Sequence, residues 1–294
     1  MPTLVGYQRQ LESARKLESV VTTMKTLAAV SIRHYERAVD SLAEYNQAIE
    51  RGLQIVLRDR PEELVIESRS TAAPTGVIVF GSDQGLCGPF NDRSAERAVA
   101  ELNRLGDIDR TVLAIGKRAK ERLQHHGQRV GAEFSLPSSL EAITPHAQEL
   151  VLRIEAWRVE RNVERVMLVH NRPTSGMAYR PHVQQILPVD PDWLRQLRKR
   201  PWPSRTVPTF TMGWDRLFSS LIRQHLFASI YRAFAESLAA ENASRLQAMQ
   251  AAERNIEDRI DQLTMAYHRT RQAAITEELL DIAAGFEALT ESDT

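Results

Sequence analysis

Helix breakers are missing from two long stretches of this chain: no glycine or proline occurs from Tyr7 to Arg51 or from Trp214 to Ala284. As one α-helix at ~1.5 Å per residue, the second stretch would run to roughly 105 Å. That exceeds the width of any compact domain of 294 residues, so the stretch is expected to protrude or to pair with another long element. The N-terminal stretch supplies such a partner. Cysteine is nearly absent as well. With Cys87 alone there is no intrachain disulfide, and nothing points to an oxidising compartment. Net charge is lacking too, with 38 basic residues against 38 acidic ones. This balance argues against nucleic acid or an anionic membrane surface as a bulk electrostatic partner. No apolar run approaches the ~18–20 residues of a membrane span, so no direct membrane insertion is expected. The first residues lack a basic-then-apolar leader and carry Glu12 and Glu18, an acidic content foreign to secretion or import signals.

What is present divides the chain in three. Along the first stretch and just past its end, Val21, Met24, Ala28, Ser31, Tyr35, Ala38, Leu42, Tyr45, Ile49, Gly52 and Val56 recur alternately three and four residues apart. This is the heptad period of a coiled coil. The seam is small and aromatic rather than Leu- and Ile-rich, which suits close approach and makes a poor autonomous zipper. Pro61 and the residues before it are expected to end the helix. A second seam runs through Phe227, Tyr231, Phe234 and Leu238, is interrupted by Asn242 and Arg245, and resumes at Met249, Ala252, Ile256, Ile260, Leu263 and Tyr267. The polar interruptions fit either register-fixing positions or contacts to surrounding chains. Beyond Ala274 the apolar phase shifts to Ile275, Leu279, Ile282, Phe286 and Leu289.

Between the helices the text changes. The runs 76–81, 111–116 and 165–170 are short, apolar and spaced by helical segments at 92–105, 117–125 and 145–161. Strands buried on both faces and alternating with helices predict βαβ units around a mostly parallel sheet, with right-handed crossovers. The segment 180–189 suits an antiparallel edge strand, and the prolines from Pro188 to Pro208 predict an extended linker. The fold class is therefore α/β: a Rossmann-like central domain over 74–190, flanked by terminal helices over 1–57 and 210–290 that pair as an antiparallel coiled coil.

Chemistry-bearing patterns are few. The turn from Gly81 through Asp83, Gly85 and Gly88 to Asn91 joins a strand to a helix, as a phosphate cradle would. It lacks both the dinucleotide fingerprint and the phosphate-loop lysine. It reads as a structural turn in which Asp83 and Asn91 satisfy backbone donors. The pair His125–His126 has no carboxylate or cysteine at metal-ligand spacing and fits an exposed helix end. Cys87 reads as a small buried side chain, and the tryptophans at 157, 193, 202 and 214 as core or interface anchors. The cluster Arg195, Arg198, Lys199, Arg200 and Arg205 reads as a solvated loop or helix end. No metal, cofactor or catalytic set is expected.

Three segments in order carry a resemblance. Phe80 to Asn91, F-G-S-D-Q-G-L-C-G-P-F-N, resembles the S-T/D-D/R-G-L-C-G-x-L/Y/F-N turn of the gamma subunit of F-type ATP synthases. Ala240 to Met249 resembles that family's S-E-x-x-A-R-M-x-A-M. Tyr267 to Leu279, Y-H-R-T-R-Q-A-A-I-T-E-E-L, is similar to its Y-N-x-x-R-Q-A-x-I-T-x-E-L, and Met24–Ala29 matches A-M-x-M-V-A-A more loosely. The chain departs from the family where T-x-K-I-T-x-A-M loses its lysine over Glu18–Met24 and where Pro89 replaces a small residue. Such departures suit a divergent branch, such as the alternate ATPases of some bacteria and archaea.

The resemblance implies a non-catalytic, rotating central stalk. Its partners would be the alpha and beta subunits of the catalytic hexamer, the epsilon subunit and the membrane ring of c subunits. It implies a peripheral location on the cytoplasmic side of the cell inner membrane. It also implies subunit contacts at Met24 and Lys25, at Arg245 and Met249, and at Arg271, Gln272, Thr276 and Glu278. Apolar tip residues would slide, while the polar ones would hold at particular angles. A reading from another class remains open on the residues alone: an α/β nucleotide-binding enzyme dimerised through its terminal helices.

Overall fold

The computed structural model describes residues 3–59, 73–106, 108–174 and 178–291, with side chains described as far as 284. Helix α1 covers Leu4–Asp59 and helix α6 covers Trp214–Glu291. Between them come β1 (Thr75–Phe80), α2 (Phe90–Leu105), β2 (Arg110–Ile115), α3 (Lys117–His125), β3 (Ala132–Phe134), α4 (Ile143–Glu160), β4 (Arg165–Pro173), β5 (Tyr179–Leu187) and α5 (Pro191–Lys199). The chain forms two compact units. One comprises Met1–Leu27 with Gln247–Thr294, and the other comprises Ala28–Leu246. Pro61, expected to end the first helix, and the side chains of Phe286 and Leu289 lie outside the described residues.

The larger unit is built on a five-stranded sheet in the order β3-β2-β1-β4-β5. Strand β1 pairs parallel with both β2 and β4, β2 pairs parallel with β3, and β5 runs antiparallel to β4 at the edge. Period-two alternation sends the strand side chains into two cores. Ile78, Phe80, Leu113, Ile115, Val166 and Leu168 face α4 and α6, joining Leu150, Ile154, Ile230 and Phe234. Val77, Val79, Val112, Ala114, Met167 and Val169 face α2 and α3, joining Ala95, Ala98, Leu102, Ala119 and Leu123. A sheet covered on both faces needs apolar residues at every position, which is why these strands read as continuous runs.

Two differences from the sequence reading have local causes. The proline-rich stretch after Pro188 is not wholly extended. Asp190 caps α5 by accepting a 2.8 Å bond from the Asp192 N–H, and Pro191 fits the first turn, where no N–H donor is needed. Leu194 and Leu197 then bury against Leu53 and Leu57 of α1 and Ala228 of α6. Strand β3, three residues long, is too short to carry a periodic signal. Helix α1 passes through Gly52, as its place on the seam implies, and a Cβ there would lie 2.9 Å from Leu221 Cδ2, so the missing side chain admits α6. On the α1 seam Ala28, Ala38, Leu42, Ile49 and Val56 are buried. Tyr45 is exposed but packs edge-on against Phe227 and bonds Gln224.

The smaller unit pairs the N-terminal part of α1 with the C-terminal part of α6 in antiparallel fashion. Gln8 Nε2 meets Tyr267 Oη at 3.1 Å, whereas Lys25 meets Glu253. Met249 and Leu263 are buried on this seam, and Ala252, Ile256, Ile260 and Tyr267 are half-buried. Among the described residues, no helix is long and apolar enough to cross a membrane.

Candidate functional site

The turn after β1 is consumed by its own hydrogen bonds. Gly81 lets α3 approach, since a Cβ there would fall 2.4 Å from Ala119 Cβ. Asp83 divides its carboxylate: Oδ1 accepts from the Lys117 N–H and Oδ2 from the Leu136 N–H, each at 2.9 Å. Asn91 Oδ1 accepts from the Ser82 N–H at 2.9 Å, and its Nδ2 donates to Ser82 Oγ at 2.8 Å. Ser82 Oγ in turn donates to the Gln84 carbonyl. Gly88 adopts φ 54°, a left-handed conformation natural to glycine, and Gly85 has open space around its α-carbon. Donors that a phosphate would need are thus partly spent on the protein itself. Cys87 is buried, and burial pushes its thiol up, the reverse of what a nucleophile needs.

A second group of polar side chains lies along α6. Arg245 Nη2 bonds Glu241 Oε1 at 2.5 Å, and its Nη1 bonds Asn242 Oδ1 at 3.1 Å. The Arg245 and Glu241 side chains are only 12% and 8% exposed. Burial pushes the Glu241 carboxyl up, with Arg245 opposing and Asp83 adding to the rise. Arg245 is therefore engaged mainly inside the larger unit. Nearby, Glu236 Oε2 accepts from His170 Nε2 at 2.9 Å, and Arg172 Nε lies 3.4 Å from Oε1. Burial would raise the Glu236 carboxyl, but the His170 hydrogen bond and the charges of His170, Arg172 and Arg232 outweigh it and hold it below the usual range.

The remaining candidates fall in the smaller unit. Met24 and Lys25 are half-buried and Met249 is buried. Lys25 Nζ reaches both carboxylate oxygens of Glu253. Arg271, Gln272, Thr276 and Glu278 are all exposed, and Thr276 Oγ1 donates to the Gln272 carbonyl of its own helix. Among them stand Ile275, Leu279, Leu280 and Ile282, 46%, 61%, 64% and 65% exposed. Ile275 and Leu279 stand four residues apart and Ile282 three further on, so they share one face of the helix.

Sequence reasoning missed Glu253 and the His170–Glu236 pair. Glu253 follows Met249 by four residues on the seam, a spacing that hints at its position but not at its partner. Among the described residues no cluster of histidine, cysteine and carboxylate side chains could hold a metal ion.

A family model described as ATP synthase matches residues 3–289. The chain is 28% identical to the ATP synthase gamma chain of a Nostoc species, covering 99% of this chain and 100% of that one. It is 27% identical to the ATP synthase gamma chain of Helicobacter pylori, covering 98% and 100%. Its fold is similar to a chain in the rotor of Euglena gracilis mitochondrial ATP synthase in rotational state 1, with TM-score 0.61 and 14% identity over 92% of this chain and 98% of that one. In the OSCP/F1/c-ring structure of the same synthase in rotational state 3, a chain matches with TM-score 0.61 and 17% identity, over 99% and 96%.

Proposed function

Because this chain belongs to the ATP synthase gamma family, we propose that it works as the rotating central stalk of an F-type ATP synthase. It couples ion flow through the c ring to ATP synthesis or hydrolysis on the alpha–beta hexamer. The observation that carries this reading is the family match across residues 3–289 on a fold of two long terminal helices flanking an α/β sheet. In this reading residues 1–57 and 210–290 form the shaft and 74–190 the body. The partners are the alpha, beta and epsilon subunits and the c ring, and the place of work is the cytoplasmic side of the inner membrane.

The chain contributes shape rather than chemistry. The hydrogen bonding of the Gly81–Asn91 turn and the raised thiol of Cys87 both support the absence of a catalytic site of its own. Nucleotide sites on the ring respond because the stalk favours a different conformation at each of them. Ile275 and Leu279 offer apolar surface that slides, while Arg271, Gln272, Thr276 and Glu278 offer hydrogen bonds that depend on angle. Met24, Lys25 and Met249 support this contact zone from the seam, and Arg245 steadies α6 through Glu241.

The test is reconstitution. Purified alone, the chain binds no nucleotide and hydrolyses none, whereas an alpha–beta ring gains sustained turnover when it is added. Steady hydrolysis by the isolated chain through repeated purification would instead establish the enzyme reading.

A further inference from the structure

In an open α/β sheet, ligands sit outside the carboxyl ends of the strands where the strand order reverses. Here that point lies between β1 and β4, because the chain moves from β1 outward to β2 and β3 and returns to β4 on the other side. The space is occupied by α6. Glu236, Ala240 and Ser244 are four residues apart and form one stripe along the helix. At one end Glu236 takes the His170 hydrogen bond and the Arg172 charge, both from β4. In the middle Ala240 is fully buried with Cys87, Phe90 and Tyr179. At the other end Ser244 Oγ donates to the Cys87 carbonyl at 2.6 Å and shares a 3.1 Å bond with Tyr179 Oη.

This arrangement differs from ordinary core packing. Apolar contact such as the edge-on packing of Phe234 against Phe80 resists rotation through shape and tolerates small shifts by repacking. Hydrogen bonds are directional and weaken steeply off line. The two polar ends of the stripe stand about 12 Å apart at ~1.5 Å rise per residue. Their acceptors and donors come from the turn after β1, from β4 and from β5, so none of these three can shift against α6 without straining one of the bonds. Ala240 keeps the middle narrow enough for Phe90 to close over it.

We propose that the Glu236–Ala240–Ser244 stripe is a rotational key: the crevice that elsewhere takes a ligand is used to lock the α/β domain to α6 at one angle, so that torque passes between them without slip. Glu236, Ser244 and Tyr179 are positioning residues in this role. The inference rests on the stalk reading above, since only a chain that turns against a load needs such a lock.

The experiment uses the complete membrane-bound synthase carrying Glu236→Ala with Ser244→Ala, Tyr179→Phe alone, or Ser244→Thr. ATP-driven ion pumping is measured without an opposing gradient and then against one, beside the melting temperature of each complex. Without load, turnover stays near wild type. Against load, pumping per ATP falls by about fivefold for each hydrogen bond removed from the key, and Ser244→Thr, which keeps the hydroxyl, pumps like wild type. Tyr179→Phe, which leaves the Ser244 bond to the backbone in place, provides the mild case.

Normal loaded pumping in both deletion variants would overturn the key. So would a loss that appears equally with and without load and follows the drop in melting temperature, because that is the signature of a structural role. If the wild-type chain does not activate the alpha–beta ring at all, the stalk reading fails. If it does and the variants still pump normally under load, only the key fails.

Discussion

Lys25 and Glu253 lie 228 residues apart in sequence, yet the Lys25 ammonium sits 2.6 Å from both oxygens of the Glu253 carboxylate. Thr22 Oγ1 adds a 3.3 Å bond to the same group. One ion pair therefore joins α1 to α6 within the smaller unit, beside the Gln8–Tyr267 contact farther along the same antiparallel pairing. The two side chains are 31% and 20% exposed, which puts the pair between a buried salt bridge and a surface one.

Lys25→Ala should lower the melting temperature only slightly, because solvent still screens the pair. Swapping the charges, Lys25→Glu with Glu253→Lys, should recover most of that loss. The comparison is thermal unfolding of the purified chain against ATP turnover of the assembled ring. If Lys25 also touches the ring, the swap restores the melting temperature but not the turnover.

Gly81→Ala should destabilise the larger unit by about 1–3 kcal/mol, the usual cost of overpacking a tight site. The added methyl would meet Ala119 Cβ at 2.4 Å, Asn91 Oδ1 at 2.7 Å and the Ala119 backbone at 3.1 Å. None of these is the free end of a flexible side chain, so relief requires α3 to move. Urea unfolding followed by far-UV circular dichroism reads the effect.

Arg245 and Glu278 should separate cleanly. Removing the Arg245 guanidinium strands Glu241 in a site where its side chain is 8% exposed, and breaking a buried pair from one side costs about 3–5 kcal/mol. Arg245→Ala is thus expected to show first as lost stability. Glu278 is exposed, and Glu278→Lys should leave unfolding within about ±0.5 kcal/mol. Its effect should appear in the ion pumping and turnover of the assembled motor. Equal melting shifts for the two variants would contradict the inward placement of Arg245.

The Glu236 carboxyl gives a pH dependence of fixed sign. Although burial opposes it, the His170 hydrogen bond and neighbouring positive charges hold the folded carboxyl below its ordinary value of 4.5. Its contribution is therefore complete above that value and is lost as the pH falls through the lower, folded one. Unfolding free energy measured from pH 6 downward should fall less steeply in Glu236→Gln than in the wild type over this acid window. Identical slopes would mean the pairing with His170 adds nothing to stability.

The two terminal helices were legible because nothing in Trp214–Ala284 or Tyr7–Arg51 breaks a helix, and the central strands because a sheet covered on both faces demands unbroken apolar runs. The Gly81–Asn91 turn and the Tyr267–Leu279 segment also carried the family resemblance in their order of residues. Helix α5 was hidden because its prolines read as a linker until Asp190 and Pro191 were seen to cap and begin it. The solvent exposure of Arg271, Gln272, Thr276 and Glu278, against the internal pairing of Arg245, could not be read from a resemblance that implies the same kind of contact for all five.

Local sequence thus determined which segments are helix and which are strand, since propensity and periodicity act over neighbouring residues. Only the tertiary structure decided that Lys25 meets Glu253, that Leu221 fills the space left at Gly52, and that Ser244 reaches the Cys87 carbonyl. Those pairings depend on the register between elements distant in the chain. A heptad seam repeats, so it fits its partner nearly as well one heptad along, and the choice falls to the few positions where size, charge or a hydrogen bond makes one register better than its neighbours.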